Sequence, residues 1–208
     1  MAESATDRTV TIAPDCDSPV LEGLLLASGA EAIGAVVAAP HPQMGGSMDH
    51  PVVAELAHVC AEAGVASLRF NWRGAGGSAG ALSGNLEHGD ADFAAAVSFV
   101  EESVEGPLVG AGYSYGAAIA VRAAARHARL HRLLLVSPPA QMLDRSALEQ
   151  FAGAVLIVTA ERDAYAPPAE LEALAGALAR GTFHLVPDAD HFYQQGLDEI
   201  ARAAGQWL

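Results

Sequence analysis

The sequence is poor in several things, and each shortage narrows what the chain can be. It has two cysteines in 208 residues. That is too few for disulfides to stand in for a core, so a reducing compartment is the default expectation, and pairing of Cys16 with Cys60 is left open. Lysine and arginine number 11 against 25 acidic residues, a formal net charge of −14. Binding to nucleic acid and docking on anionic membranes both draw on clustered basic side chains, so neither partner is expected. No apolar run reaches the ~20 residues that span a bilayer. The opening Met-Ala-Glu-Ser-Ala-Thr-Asp has neither the basic start nor the apolar stretch of an export signal. A cytoplasmic location is the resulting expectation. There is no internal repeat and no low-complexity block.

What is present is apolar substance in short pieces. Hydrophobic residues make up 51% of the chain but aromatics only 6%, and much of the remainder is alanine, which suits closely packed helices. Short apolar runs at 9–13, 21–27, 33–39, 66–72, 107–111, 133–136, 155–160 and 182–186 read as strands. Stretches at 52–63, 89–102, 117–129, 169–179 and 196–208 have helical spacing. Strands alternating with helices imply βαβ units and a mostly parallel sheet. The first two strands are joined too closely for a parallel crossover and should pair antiparallel. The expected architecture is a single α/β domain over residues 1–208, with 1–8 as a loose tail. It has about eight mostly parallel strands, an antiparallel pair at the N-terminal edge and helices on both faces. Between Pro139 and Val155 there is room for one short helix and none for a lid domain.

Gly112-Tyr113-Ser114-Tyr115-Gly116 is a G-x-S-x-G string between a buried strand and a helix of small residues. That is the strand–turn–helix context in which a serine is pushed out on a sharp turn above the sheet edge. Strand and helix must approach closely there, so the flanking positions want residues without a Cβ. The rival reading is a dinucleotide-binding turn starting at Gly110. It fails on spacing, and the acidic residue it needs about 20 positions on is replaced by Leu133-Leu134-Leu135-Val136.

A serine hydroxyl needs a base to take its proton and an acid to orient that base. Asp163 follows the run 155–160, and His191 follows the run 182–186. With Ser114 this gives three residue types at three strand ends in the order Ser, Asp, His. Glu161 and Asp144 are alternative acids. His184 reads as packed inside a strand, and His58, His127 and His131 as helix-surface or helix-end residues. No His/Asp cluster has metal-ligand spacing, and no cofactor is expected.

Oxyanion stabilisation needs two N–H groups aimed at one point. One is expected from Tyr115, the residue after the serine. The other is expected from the loop His41-Pro42-Gln43-Met44-Gly45-Gly46-Ser47-Met48. Pro42 has no N–H to give, which leaves Gln43 or Met44, with Gln43 preferred. This loop, Leu68-Arg69-Phe70-Asn71-Trp72-Arg73-Gly74, Gly112–Gly116, Glu161-Arg162-Asp163 and Asp190-His191-Phe192-Tyr193 together resemble the α/β-hydrolase superfamily, and within it a group of small lidless members. Gln43 stands where members of that group often carry a second histidine.

The resemblance implies a serine hydrolase that cleaves a small carboxylic ester or thioester through an acyl-enzyme. Peptidase, perhydrolase and lactonase chemistry on the same residues are alternatives, as is a non-catalytic small-molecule-binding protein. Met44, Met48, Trp72, Tyr113, Met142 and Tyr193 are the candidates to line an open cleft.

Overall fold

The computed structural model describes residues 6–13, 18–27, 29 and 31–208; Cys16 and residues 1–5 of the expected tail lie outside them. The elements follow in the order β1 (Thr6–Ile12), β2 (Leu21–Ala27), β3 (Ile33–Ala38), α1 (Pro51–Glu62), β4 (Val65–Phe70), α2 (Leu86–Ser103), β5 (Leu108–Tyr113), α3 (Tyr115–Ala124), β6 (Leu130–Val136), α4 (Arg145–Gln150), β7 (Ala154–Ala160), α5 (Pro168–Ala177), β8 (Gly181–Val186) and α6 (Leu197–Trp207). They form one eight-stranded sheet in the order β1-β2-β4-β3-β5-β6-β7-β8. β1 pairs antiparallel with β2, and β2 antiparallel with β4. Every later pairing is parallel.

The direction of the crossovers places the helices. From β3 the chain steps one way to β4 through α1, then back across β3 to β5 through α2. Right-handed crossovers in opposite directions put α1 and α2 on opposite faces of the sheet. α3, α4 and α5 continue in the second direction; α2 packs on α3 and α3 on α4, while α6 returns to pack on α1. The central strands are covered on both sides, which is why they are near-continuous apolar runs: Leu133–Val136 and Ile157 are wholly buried. Where β3 and β5 lie side by side, their outgoing connections diverge. The crevice at those two carboxyl ends is where open α/β sheets bind ligands.

Several boundaries differ from the sequence-based expectation. β1 begins at Thr6, so residues 6–8 are strand and not tail; Thr6, Asp7 and Arg8 pair with Ala27, Leu26 and Leu25. Their side chains are exposed, so no apolar periodicity marks them and the backbone ladder alone holds them. α2 begins at Leu86, ahead of the expected 89, because the Asn85 side chain caps it, accepting from the Glu87 N–H at 2.7 Å. His131 lies in β6 and not at a helix end. No helix among the described residues is long and apolar enough to cross a membrane. Cys60 is buried in α1, and burial pushes its thiol up to about 12.

Candidate active site

The turn from β5 into α3 brings the two glycines into close contact with backbone. A Cβ on Gly112 would come 2.4 Å from the carbonyl carbon of Gly116, and one on Gly116 would come 2.4 Å from the Ala38 carbonyl oxygen. Real Cβ atoms do not approach so closely, so the two glycines are dictated by the meeting of strand, helix and β3. Between them Ser114 is held at φ 55°, ψ −120°, a conformation that L side chains rarely adopt. Its Oγ lies 3.0 Å from His191 Nε2.

His191 Nδ1 lies 2.8 Å from Asp163 Oδ2 and 3.0 Å from Oδ1. An acceptor-only carboxylate on Nδ1 puts the ring proton there and leaves the Nε2 lone pair facing the serine hydroxyl. Burial opposes ionisation of Asp163. Hydrogen bonds from His191, Ser137 and the Ala166 N–H outweigh it and hold the carboxyl below its ordinary value. The Tyr165 and Ala166 N–H groups donate to Oδ1 at 2.9 and 2.8 Å. The alternative acids are engaged elsewhere. Asp144 caps α4 through the Ala147 N–H, and Glu161 accepts from the Asp188 N–H.

The loop after β3 makes a 3₁₀ turn, Pro42–Met44. Met44 N–H is committed to the His41 carbonyl at 3.0 Å, and Gln43 sits at the middle of the turn. Tyr115 opens α3, and a first helical residue has no acceptor for its N–H within its own helix. The end of β4 and the residues after it hold the loop from beneath. Trp72 Nε1 donates to the Ala39 and Pro40 carbonyls at 3.0 and 3.2 Å. Asn71 Oδ1 accepts from Met48 N–H at 2.9 Å, and Arg69 donates to the Met48 carbonyl at 3.1 Å.

Ser114 and His191 open into a cleft of about 540 Å³ whose walls include His41, Met44, Met142, Tyr165, Glu170 and Phe192. Met44 and Met142 line it as expected from the sequence. Met48, Trp72, Tyr113 and Tyr193 do not; all four are buried. Trp72 and Met48 are the loop's scaffold, and the two tyrosines lie behind His191. Among the lining residues that were not expected are His41, Tyr165, Glu170 and Phe192. Two of them had a readable signal, since Phe192 follows the candidate base and Tyr165 stands two positions after the candidate acid. Tyr165 and Phe192 flank the imidazole at centroid distances of 4.9 and 5.7 Å. Tyr165, Phe192 and Met44 are 55, 56 and 74% exposed, more than any other large apolar residue described. His41 packs edge-on against Tyr115, and burial lowers its pKa and favours the neutral ring.

This sheet, this elbow and the absence of any inserted lid among the described residues define an α/β-hydrolase of the lidless kind. Residues 44–154, just over half of the 208, match the family model described as "Serine aminopeptidase, S33", and the chain belongs to that α/β-hydrolase family. It is similar to an α/β serine hydrolase homologue from Coxiella burnetii, with 27% identity, 97% of each chain covered and a TM-score of 0.83. It is equally similar to an α/β serine hydrolase without lid from Xanthomonas campestris, with 27% identity, 97% and 95% covered and a TM-score of 0.83. A curated relative, an uncharacterized protein of Rickettsia prowazekii, is 26% identical over 186 residues, 84% of this chain and 77% of its own.

Proposed function

We propose that the protein hydrolyses small carboxylic esters or thioesters by two-step acyl transfer at Ser114. The observation that carries this reading is the unbroken hydrogen-bonded chain from Asp163 through His191 to Ser114 at the floor of an open cleft. Ser114 Oγ attacks the carbonyl carbon as its proton passes to His191 Nε2. Asp163 stabilises the resulting imidazolium. The Tyr115 and Gln43 N–H groups stabilise the oxyanion. The C–O or C–S bond then breaks, and the leaving alcohol or thiol takes the proton from His191. Water, deprotonated by the same nitrogen, attacks the acyl-enzyme and releases a carboxylic acid and free Ser114. The exposed apolar rim of Met44, Tyr165 and Phe192 supports substrates with an uncharged, apolar group beside the carbonyl.

The description of the family model supports a second reading, a peptidase on the same residues. One experiment serves both. A fluorophosphonate probe should label Ser114 in the folded protein. A panel of p-nitrophenyl esters, thioesters, lactones and aminoacyl anilides should then show turnover, greatest on esters or thioesters. Ser114→Ala should reduce that turnover about 10⁴-fold or more. Turnover that survives Ser114→Ala, or a wild-type protein that the probe leaves unlabelled, overturns the proposal. Turnover confined to the anilides moves it to the peptidase reading.

A further inference from the structure

Two buried phenols grip the segment that carries His191, and neither lines the cleft. Tyr113, the residue before the nucleophile, donates its hydroxyl to the backbone carbonyl of His191. Its ring centroid lies 5.6 Å from the imidazole and 5.9 Å from Tyr193. Tyr193, two residues beyond the base, has its hydroxyl 2.7 Å from Ser137 Oγ. Ser137 directly follows β6, is wholly buried, and is among the groups that hold the Asp163 carboxyl below its ordinary value. Either hydroxyl of the Tyr193–Ser137 pair can donate to the other.

The backbone at these positions is strained. Four non-glycine residues among those described have positive φ: Ser114, Ser137, Asp188 and Tyr193. Three of the four meet here, with Ser137 at 43° and Tyr193 at 47°. Left-handed backbone at such residues is strained and persists only where the surroundings over-determine it. What over-determines these two is the hydroxyl pair between them.

We propose that Tyr113, Ser137 and Tyr193 are positioning residues, a pair of hydroxyl clamps that fix the base loop against the nucleophile elbow on one side and the acid on the other. The clamps keep His191 in register with both Ser114 and Asp163 while the cleft is empty. The kinetic readout of this inference rests on the hydrolase reading; the spectroscopic one does not.

Tyr113→Phe and Tyr193→Phe keep each ring and remove only the hydroxyl. Each should lower kcat by roughly tenfold, since sub-ångström misplacement of a reacting group costs a fraction of the ~100-fold expected for 1 Å. KM should stay within about twofold, because neither residue touches the cleft. Ser137→Ala breaks the second clamp from its other end. It should lower kcat at least as much as Tyr193→Phe, and the double variant should be no worse than Ser137→Ala alone. This variant also carries the test if a phenylalanine variant fails to fold. In the free protein, the downfield proton resonance of His191 Nδ1 bonded to Asp163 should weaken or broaden in all three variants. Folded variants that keep both wild-type kcat and that resonance overturn the proposal. So does a rise in KM at constant kcat, which would make these residues substrate contacts. Absence of Ser114 labelling in the wild type sinks the hydrolase reading alone, and the resonance still decides the clamps.

Discussion

At the scale of single residues, the site stores strain where the chemistry is proposed. Ser114 sits at φ 55°, ψ −120°, with glycine two positions away on each side, at 112 and 116, because a Cβ there would strike backbone at 2.4 Å. Glycine tolerates such dihedrals and alanine does not. Ser114→Gly and Ser114→Ala should therefore be equally inactive but unequally stable. The glycine variant should exceed the alanine variant by about 1 kcal/mol once glycine's larger unfolded-state entropy is subtracted. For a chain of this size that is a Tm difference of about 3 °C. Thermal unfolding of the two side by side decides it. If the alanine variant melts at the same temperature or higher, the strain at Ser114 is not what the dihedrals imply.

At the scale of elements, α2 and α3 are fastened together beside the elbow by Asp90. Its carboxylate accepts from Arg122 at 2.6 and 2.8 Å and from Arg126 at 2.7 Å. Burial opposes its charge, but the two arginines outweigh burial and lower its pKa from 3.8. A depressed folded value means that the stabilisation is present in full above the unfolded value. It fades as pH falls through the lower folded value. Asp90→Asn should cost about 2 kcal/mol at neutral pH, and the Tm gap to wild type should close below about pH 4. A gap independent of pH would mean that the asparagine variant loses packing and not charge. The elements themselves were largely legible. Strands buried on both faces are bare apolar runs, and Ser114, Asp163 and His191 each follow one, so alternation and chain order alone bring them to one sheet edge. What could not be read was set by backbone or by geometry. The first residues of β1 show no period because their side chains face solvent. Trp72, Tyr113 and Tyr193 look like cleft residues in sequence because they neighbour the site. Which side of the backbone each occupies depends on turns whose dihedrals, such as the positive φ of Tyr193, leave no mark in composition.

At the scale of the whole molecule, the cleft belongs to an open sheet edge that no lid among the described residues covers, so the long-range field reaches a substrate as it enters. The chain carries 25 acidic against 11 basic residues, a net charge of −14, and the cleft wall adds Glu170, whose partner is Arg145 on α4. The apolar rim of Met44, Tyr165 and Phe192 does not discriminate by charge, whereas the field does. An ester bearing a carboxylate and its neutral isostere of the same shape should therefore differ in kcat/KM by roughly tenfold at low salt, the neutral one being favoured. Shortening the Debye length from about 30 Å at 0.01 M to about 10 Å at 0.1 M should narrow that ratio steadily. Glu170→Gln should narrow it further at every salt concentration while leaving the neutral ester's kcat/KM within about twofold, since a neutral substrate has no charge for Glu170 to repel. The measurement is the ratio of kcat/KM values across a salt series for wild type and variant. A ratio that stays constant with salt would place the discrimination in short-range contacts at the rim and not in the charge of the molecule.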